Sequence, residues 1–159
     1  MYIKNFERFN QSTPKRDIDE IIKQYFATAL WTEEVSNEDL EDKTIYDFSD
    51  KAREYVKKEI EWFINTAGSS LNGLADDQIG HDIWLSRNGH GAGFFDRGLE
   101  IENEELLMEL SHQLGEQYIY VNSKGKICFE YNNEKYKNFN IDKYKKKKEF
   151  DRNVKKYNL

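Results

Sequence analysis

Residues Gly80–Gly98 read GHDIWLSRNGHGAGFFDRG. This stretch holds two of the three histidines, one of the three tryptophans and five of the nine glycines. Two arginines and two aspartates stand beside Ile83, Trp84, Leu85, Phe94 and Phe95. The apolar run and the Asn-Gly dipeptide together read as a β-hairpin, since Asn-Gly supplies the positive φ angles of tight turns. His81 to Arg87 is the first expected strand, Asn88-Gly89-His90-Gly91 the turn, and Ala92 to Asp96 the second strand.

Downstream, Asn103 is the expected cap of a helix that turns Leu106, Leu107, Leu110 and Leu114 inward and stops at Gly115. Two strands follow, Tyr118 to Val121 and Lys126 to Tyr131, joined through Asn122-Ser123-Lys124-Gly125. Upstream, Ser69 to Asp77 is a connection with one helical turn around Leu71 and Leu74. Before it, Ser49 or Asp47 opens a helix with Ala52, Tyr55, Val56, Ile60, Phe63, Ile64 and Ala67 on one face and Gly68 as its stop. Thr32 to Asp42 is acidic, has few apolar anchors, and reads as a loop. A first helix begins with Thr13 as N-cap and Pro14 at the first helical position. It carries Ile18, Ile21, Ile22, Tyr25, Phe26, Ala29 and Leu30 at helical spacing. Residues 1–12 read as a short strand or arm through Tyr2, Ile3, Phe6 and Phe9. The expected fold is α+β: an antiparallel sheet of about four strands, in two hairpins, packed against about three helices. Residues 1–131 form its single domain. Residues 132–159 are a basic, aromatic C-terminal extension, a helix or arm.

The 159 residues suit one core, and aromatics at 14% make that core plausible despite the many charges. The net charge of −6 is a compromise between unequal parts: residues 132–159 carry +6 and the remainder −12. An acidic body of this kind repels nucleic acid and attracts basic protein surfaces. The single cysteine, Cys128, has no internal disulfide partner and reads as a buried small hydrophobe. No apolar run marks a signal peptide or a membrane span, so the expected setting is cytoplasmic, with no membrane partner.

Several chemistries can be weighed against the central stretch. His81, Asp82, His90 and Asp96 are metal-ligand types, yet their spacing matches no familiar site, so no metal and no cofactor is expected. His90 with Asp96 or Asp82, and Arg87 or Arg97 holding an anion, would suit hydrolysis of a phosphodiester or ester. The favoured alternative is structural, with Arg87 and Arg97 paired to Asp82 and Asp96 across the strands. The run Gly89 to Gly93 lacks the Lys-Ser/Thr that a phosphate loop requires. Lys145, Lys146, Lys147 and Lys148, interleaved with tyrosines, could track a nucleic-acid backbone.

The stretch Gly80–Gly98 resembles a pattern of small phage and plasmid proteins, roughly GHDFWLTRNGHGAGFWDRG. Ile83, Ser86 and Phe95 stand here for Phe, Thr and the second Trp. The resemblance extends over residues 25–131. Length, acidity and a Lys/Asn-rich composition are also similar to anti-CRISPR proteins of staphylococcal mobile elements, which inhibit the type II RNA-guided nuclease. This resemblance implies an anti-defence protein and a non-enzymatic inhibitor in the cytoplasm of a bacterial host. Its partner would be a type II CRISPR effector nuclease with its guide RNA, and cleavage would be blocked by holding a nuclease domain. The expected partner-binding residues are Glu33, Glu34, Glu38, Asp39, Glu41 and Asp42, with Asn88 and His90 at the hairpin tip, and Lys145 to Lys148. The competing functions are a small hydrolase using His90 and Asp96, and a nucleic-acid-binding accessory protein using the basic tail.

Overall fold

A computed structural model describes residues 15–131 and 134–158. Among them are five α-helices: α1 (Ile18–Glu33), α2 (Asp50–Ala67), α3 (Asp76–Arg87), α4 (Ile101–Leu114) and α5 (Ile141–Tyr157). Two short strands, β1 (Ile119–Val121) and β2 (Ile127–Phe129), form one antiparallel pair. The architecture is therefore mainly helical, and the expected four-stranded sheet with three helices is not formed. Residues 1–14, with the expected arm and the Thr13-Pro14 helix start, lie outside the described residues.

The correction centres on residues 76–98. His81 to Arg87 is the second half of α3, and Phe94–Asp96 is a 3₁₀ turn, so no hairpin exists there. Asp76 and Asp77 occupy the first turn of α3, where free N–H groups and the macrodipole favour negative charge. From Ile79 onward nearly every side chain is buried. A helix enclosed on all sides has no polar face, so its sequence lacks an amphipathic stripe and Ile83-Trp84-Leu85 looks like a strand. Asn88-Gly89 ends the helix. Gly89 has φ +65°, and the His90 N–H bonds the Leu85 carbonyl at 3.2 Å, closing a Schellman motif. The left-handed Gly that suggested a hairpin turn is a helix terminator.

Gly80 sets how α3 meets α1. A Cβ at this position would lie 2.2 Å from the Ile21 carbonyl oxygen, so the two backbones touch where only glycine fits. The helices run side by side in the same direction. Arg16 bonds Asp76 at one end, and His90 faces Glu33 at the other. Trp84 meets the Tyr25 ring edge-on at 5.3 Å, and Phe26 stacks on Phe48 at 3.9 Å. Phe63 stacks on Phe94, and Ile127 and Phe129 of β2 complete the core.

The expected α1, α2 and α4 are all present. Asp17 caps α1, accepting from the Glu20 N–H, while Ser49 caps α2 and Gly68 ends it. Helix α4 starts at Ile101, two residues before the Asn103 cap position, and ends at Gly115 as expected. The β1–β2 hairpin has Tyr120 opposite Cys128, and Cys128 is free and buried. Residues 141–157 form a helix rather than an arm, and Arg152 of α5 reaches Glu102 and Glu105 of α4. Among the described residues no helix is long and apolar enough to cross a membrane.

Candidate functional site

The central stretch is bound into the fold through most of its polar side chains. Arg87 is buried and bidentate on Glu59 of α2, with Nη1 2.6 Å from Oε2. It also donates to the Tyr25 hydroxyl and to the Leu114 and Gly115 carbonyls. These last two are orphan acceptors at the negative end of α4, so one guanidinium neutralises a carboxylate and caps a helix. Burial opposes the charge on Arg87, but Tyr25 and Glu59 hold its pKa above the ordinary value. Burial pushes Glu59 upward, and Arg87 offsets that only in part.

Asp82 is fully buried and takes two bonds from Arg97, at 2.7 and 2.8 Å. The hydrogen bond that Arg97 donates to Asp82 is foremost in raising the Arg97 pKa. Arg97 thus pairs with Asp82 as expected, though from a loop onto a helix, whereas Arg87 pairs with Glu59 and not with Asp96. Asp96 accepts from the Gly93 N–H within its own turn. Ser86 accepts from the Phe94 N–H, and Asn88 accepts from the Gln117 N–H. Asn88 is therefore not a hairpin tip; it is the half-buried cap of α3 and a clamp on the segment entering β1.

The histidines lie at the edge of this network. The Thr28 hydroxyl donates its one proton to the Gln24 carbonyl, so it accepts from His81 Nδ1 at 2.9 Å. This places a proton on Nδ1 of His81, whose ring stacks near Trp31. His90 Nε2 lies 3.7 Å from Glu33. Among the described residues no hydrogen bond joins His90 to Asp96 or to Asp82, the two pairs the acid–base reading would use. Among the described residues, no group of three His, Cys, Asp or Glu is placed to hold a metal ion.

A different surface gathers at this end of the molecule. The acidic run forms two 3₁₀ turns, Glu34–Ser36 and Glu38–Leu40. Leu40 is buried and pins the run to the core, which explains how so acidic a segment holds a fixed shape. Glu34, Glu38, Asp39, Glu41 and Asp42 are exposed, and among the described residues none forms an ion pair. Glu33 is half-buried beside His90. The second turn packs against β1. Val35, 93% exposed, lies within the run, Trp31, 66%, on the last turn of α1 just before it, and Tyr118, 58%, and Tyr120 are exposed beside and on β1, against which the second turn packs. Glu116 accepts the Tyr118 hydroxyl at 2.7 Å and, with Glu33 nearby, raises the Tyr118 pKa.

The structure therefore brings Glu33 to Asp42 and His90 to one end, ties the half-buried Asn88 into the end of α3, and leaves Lys145 to Lys148 elsewhere, on α5. Sequence reading missed Trp31, Val35, Tyr118 and Tyr120 as members of the surface. Signals for them existed. Trp31 falls off the apolar stripe of α1, and Tyr118 and Tyr120 alternate with the inward Ile119.

Comparison with protein-family models, with curated proteins and with solved structures finds no match for the chain. The functional reading rests on this surface and on the residues of the central stretch.

Proposed function

We propose that the protein acts by stoichiometric binding through its acidic, aromatic end and is not an enzyme. The observation that carries this reading is the combination of five exposed, unpaired carboxylates with large exposed apolar side chains on one pinned lobe. Aromatic anchors ringed by charge are the composition of protein interfaces, and an acidic rim selects a basic partner and speeds the encounter. The His/Arg/Asp-rich stretch supports the reading from the other side: Arg87, Asp82 and Asn88 act as internal struts of the lobe's base.

The partner best suited to the likeness in length, acidity and Lys/Asn-rich composition to staphylococcal anti-CRISPR proteins is the type II CRISPR effector nuclease with its guide RNA, in the cytoplasm of a bacterial host. Nucleic-acid enzymes present basic grooves that a local acidic patch can occupy. The patch is confined to one end and the opposite end is basic. This favours holding a mobile nuclease domain over imitating a length of DNA duplex. The test compares purified variants in a DNA-cleavage assay with the guide-loaded effector. Glu38→Lys with Asp39→Lys, and Trp31→Ala, are expected to abolish inhibition while leaving the helical circular dichroism unchanged. Retained inhibition in both would discard the lobe as the contact surface.

A further inference from the structure

Helix α5 has two faces with different fates. Lys148 and Arg152 lie against Glu105 and Glu102 of α4, and Tyr144 packs beside Phe139. On the opposite side Phe150, Val154 and Tyr157 follow at i, i+4 and i+7, forming one stripe. Phe150 is 66% exposed and Tyr157 77%, and Val154 is also exposed. Lys143, Lys146 and Lys147 stand on this outer side, and among the described residues none of them forms an ion pair. The helix carries +5 between Ile141 and Tyr157, whereas residues 31–42 carry −6 with no lysine or arginine. Each surface is an exposed apolar stripe set in charge, and the two signs are opposite.

The fold keeps these surfaces apart. Tyr144 and Lys145 border Ser69 and Ser70, in the same 3₁₀ turn whose Leu71 carbonyl takes Arg16 at the start of α1. The acidic lobe follows the far end of α1, 16 residues on. At 1.5 Å per residue the poles stand about 24 Å apart. Helix α5 also runs antiparallel to α4, which directs its last turns away from the lobe. The stripe on α5 therefore has no route to the lobe of its own chain.

We propose that the protein self-associates head to tail, with the outer face of α5 of one copy seated on the acidic lobe of the next. Such a contact is heterologous: each copy keeps one free donor face and one free acceptor face, so assembly continues into open chains or closes into rings. Because both surfaces are charged, association weakens with salt. The lobe is also the surface proposed above for the partner nuclease, so self-association and partner binding would compete. The self-association itself is read on the protein alone and stands or falls independently of that target.

The experiment is sedimentation velocity over a concentration series in low and high salt. The wild-type chain is expected to pass from monomer to dimer and larger species, and high salt is expected to reverse this. Phe150→Ser with Val154→Ser removes the α5 stripe, and Trp31→Ser with Val35→Ser removes the lobe's apolar part. Both pairs are on solvent-facing side chains, and circular dichroism checks their folding. Each variant alone is expected to associate roughly tenfold or more weakly than wild type. An equimolar mixture of the two retains one intact donor and one intact acceptor, and is expected to stop at a one-to-one heterodimer. As a second route, Lys146→Glu with Lys147→Glu is expected to recover binding to Glu38→Lys with Asp39→Lys. A wild-type chain that stays monomeric throughout, or a mixture that stays monomeric, would overturn the proposal. Loss of association in the α5 variant alone would instead indicate symmetric α5–α5 pairing. Binding of α5 only to anionic vesicles or nucleic acid would overturn it as well.

Discussion

Arg87 and Glu59 form a fully buried bidentate ion pair that joins α3 to α2, and the same guanidinium closes the C-terminal end of α4. Three helices thus meet on one side chain. Removing one member leaves a buried charge without its partner, which costs about 3–5 kcal/mol. Arg87→Met is expected to lose that much stability in urea denaturation. Arg87→Met combined with Glu59→Met is expected to recover part of the loss, which a double-mutant cycle would read as coupling. Additive losses would show that the pair is not the connection described.

Gly80 is predicted to be the least tolerant position on the α1–α3 contact. A methyl group there meets backbone at 2.2 Å, and backbone cannot rotate away. Gly80→Ala is expected to cost about 3 kcal/mol through forced separation of the helices. Gly89→Ala, with nothing near its Cβ but a φ of +65°, is expected to cost only about 1 kcal/mol. Thermal midpoints of the two variants test the order; a reversed order would contradict the close crossing.

Stability is expected to fall in alkali. Burial pushes Tyr136 up to about 12 and moves Tyr25 higher still. An unfolded tyrosine titrates near pH 10. The folded state holds these protons more tightly, so their contribution is complete below about pH 10 and is lost as pH rises toward 12. Equilibrium unfolding between pH 8 and 12 checks this. A flat profile across that window would show the two phenols to be solvated.

The histidines are predicted to be dispensable for function. His90→Gln keeps a polar side chain beside Glu33 and is expected to change inhibition less than about threefold, within the range of an exposed pair. Abolished inhibition in this variant, with folding intact, would return the acid–base reading of His90 to consideration.

The parts of the fold that were legible in the sequence are those with one wet face. Helices α1, α2 and α4 each show an apolar stripe, and Ser49, Gly68 and Gly115 mark ends that the structure keeps. The β1–β2 hairpin was legible from its turn residues and alternation. Helix α3 was not, because Asp82, Ser86 and Arg87 are buried along with Ile83, Trp84 and Leu85. Its polar residues satisfy partners on other elements, which no local pattern records. Asn88-Gly89 has the same left-handed preference in a hairpin turn and in a Schellman cap, so that dipeptide could not decide between them. The acidic run was legible as charge, but its companions were not. Tyr118 and Tyr120 are brought to the segment that carries Trp31 and Val35 only by the packing of the turn at Glu38–Leu40 against β1.

The most direct test of the central claim is a titration of the purified protein against a type II effector loaded with guide RNA, with DNA cleavage and DNA binding scored separately. The account predicts that cleavage is lost near one-to-one stoichiometry while DNA remains bound. Full cleavage at a large molar excess of the protein, or loss of cleavage at amounts far below stoichiometric, would contradict it.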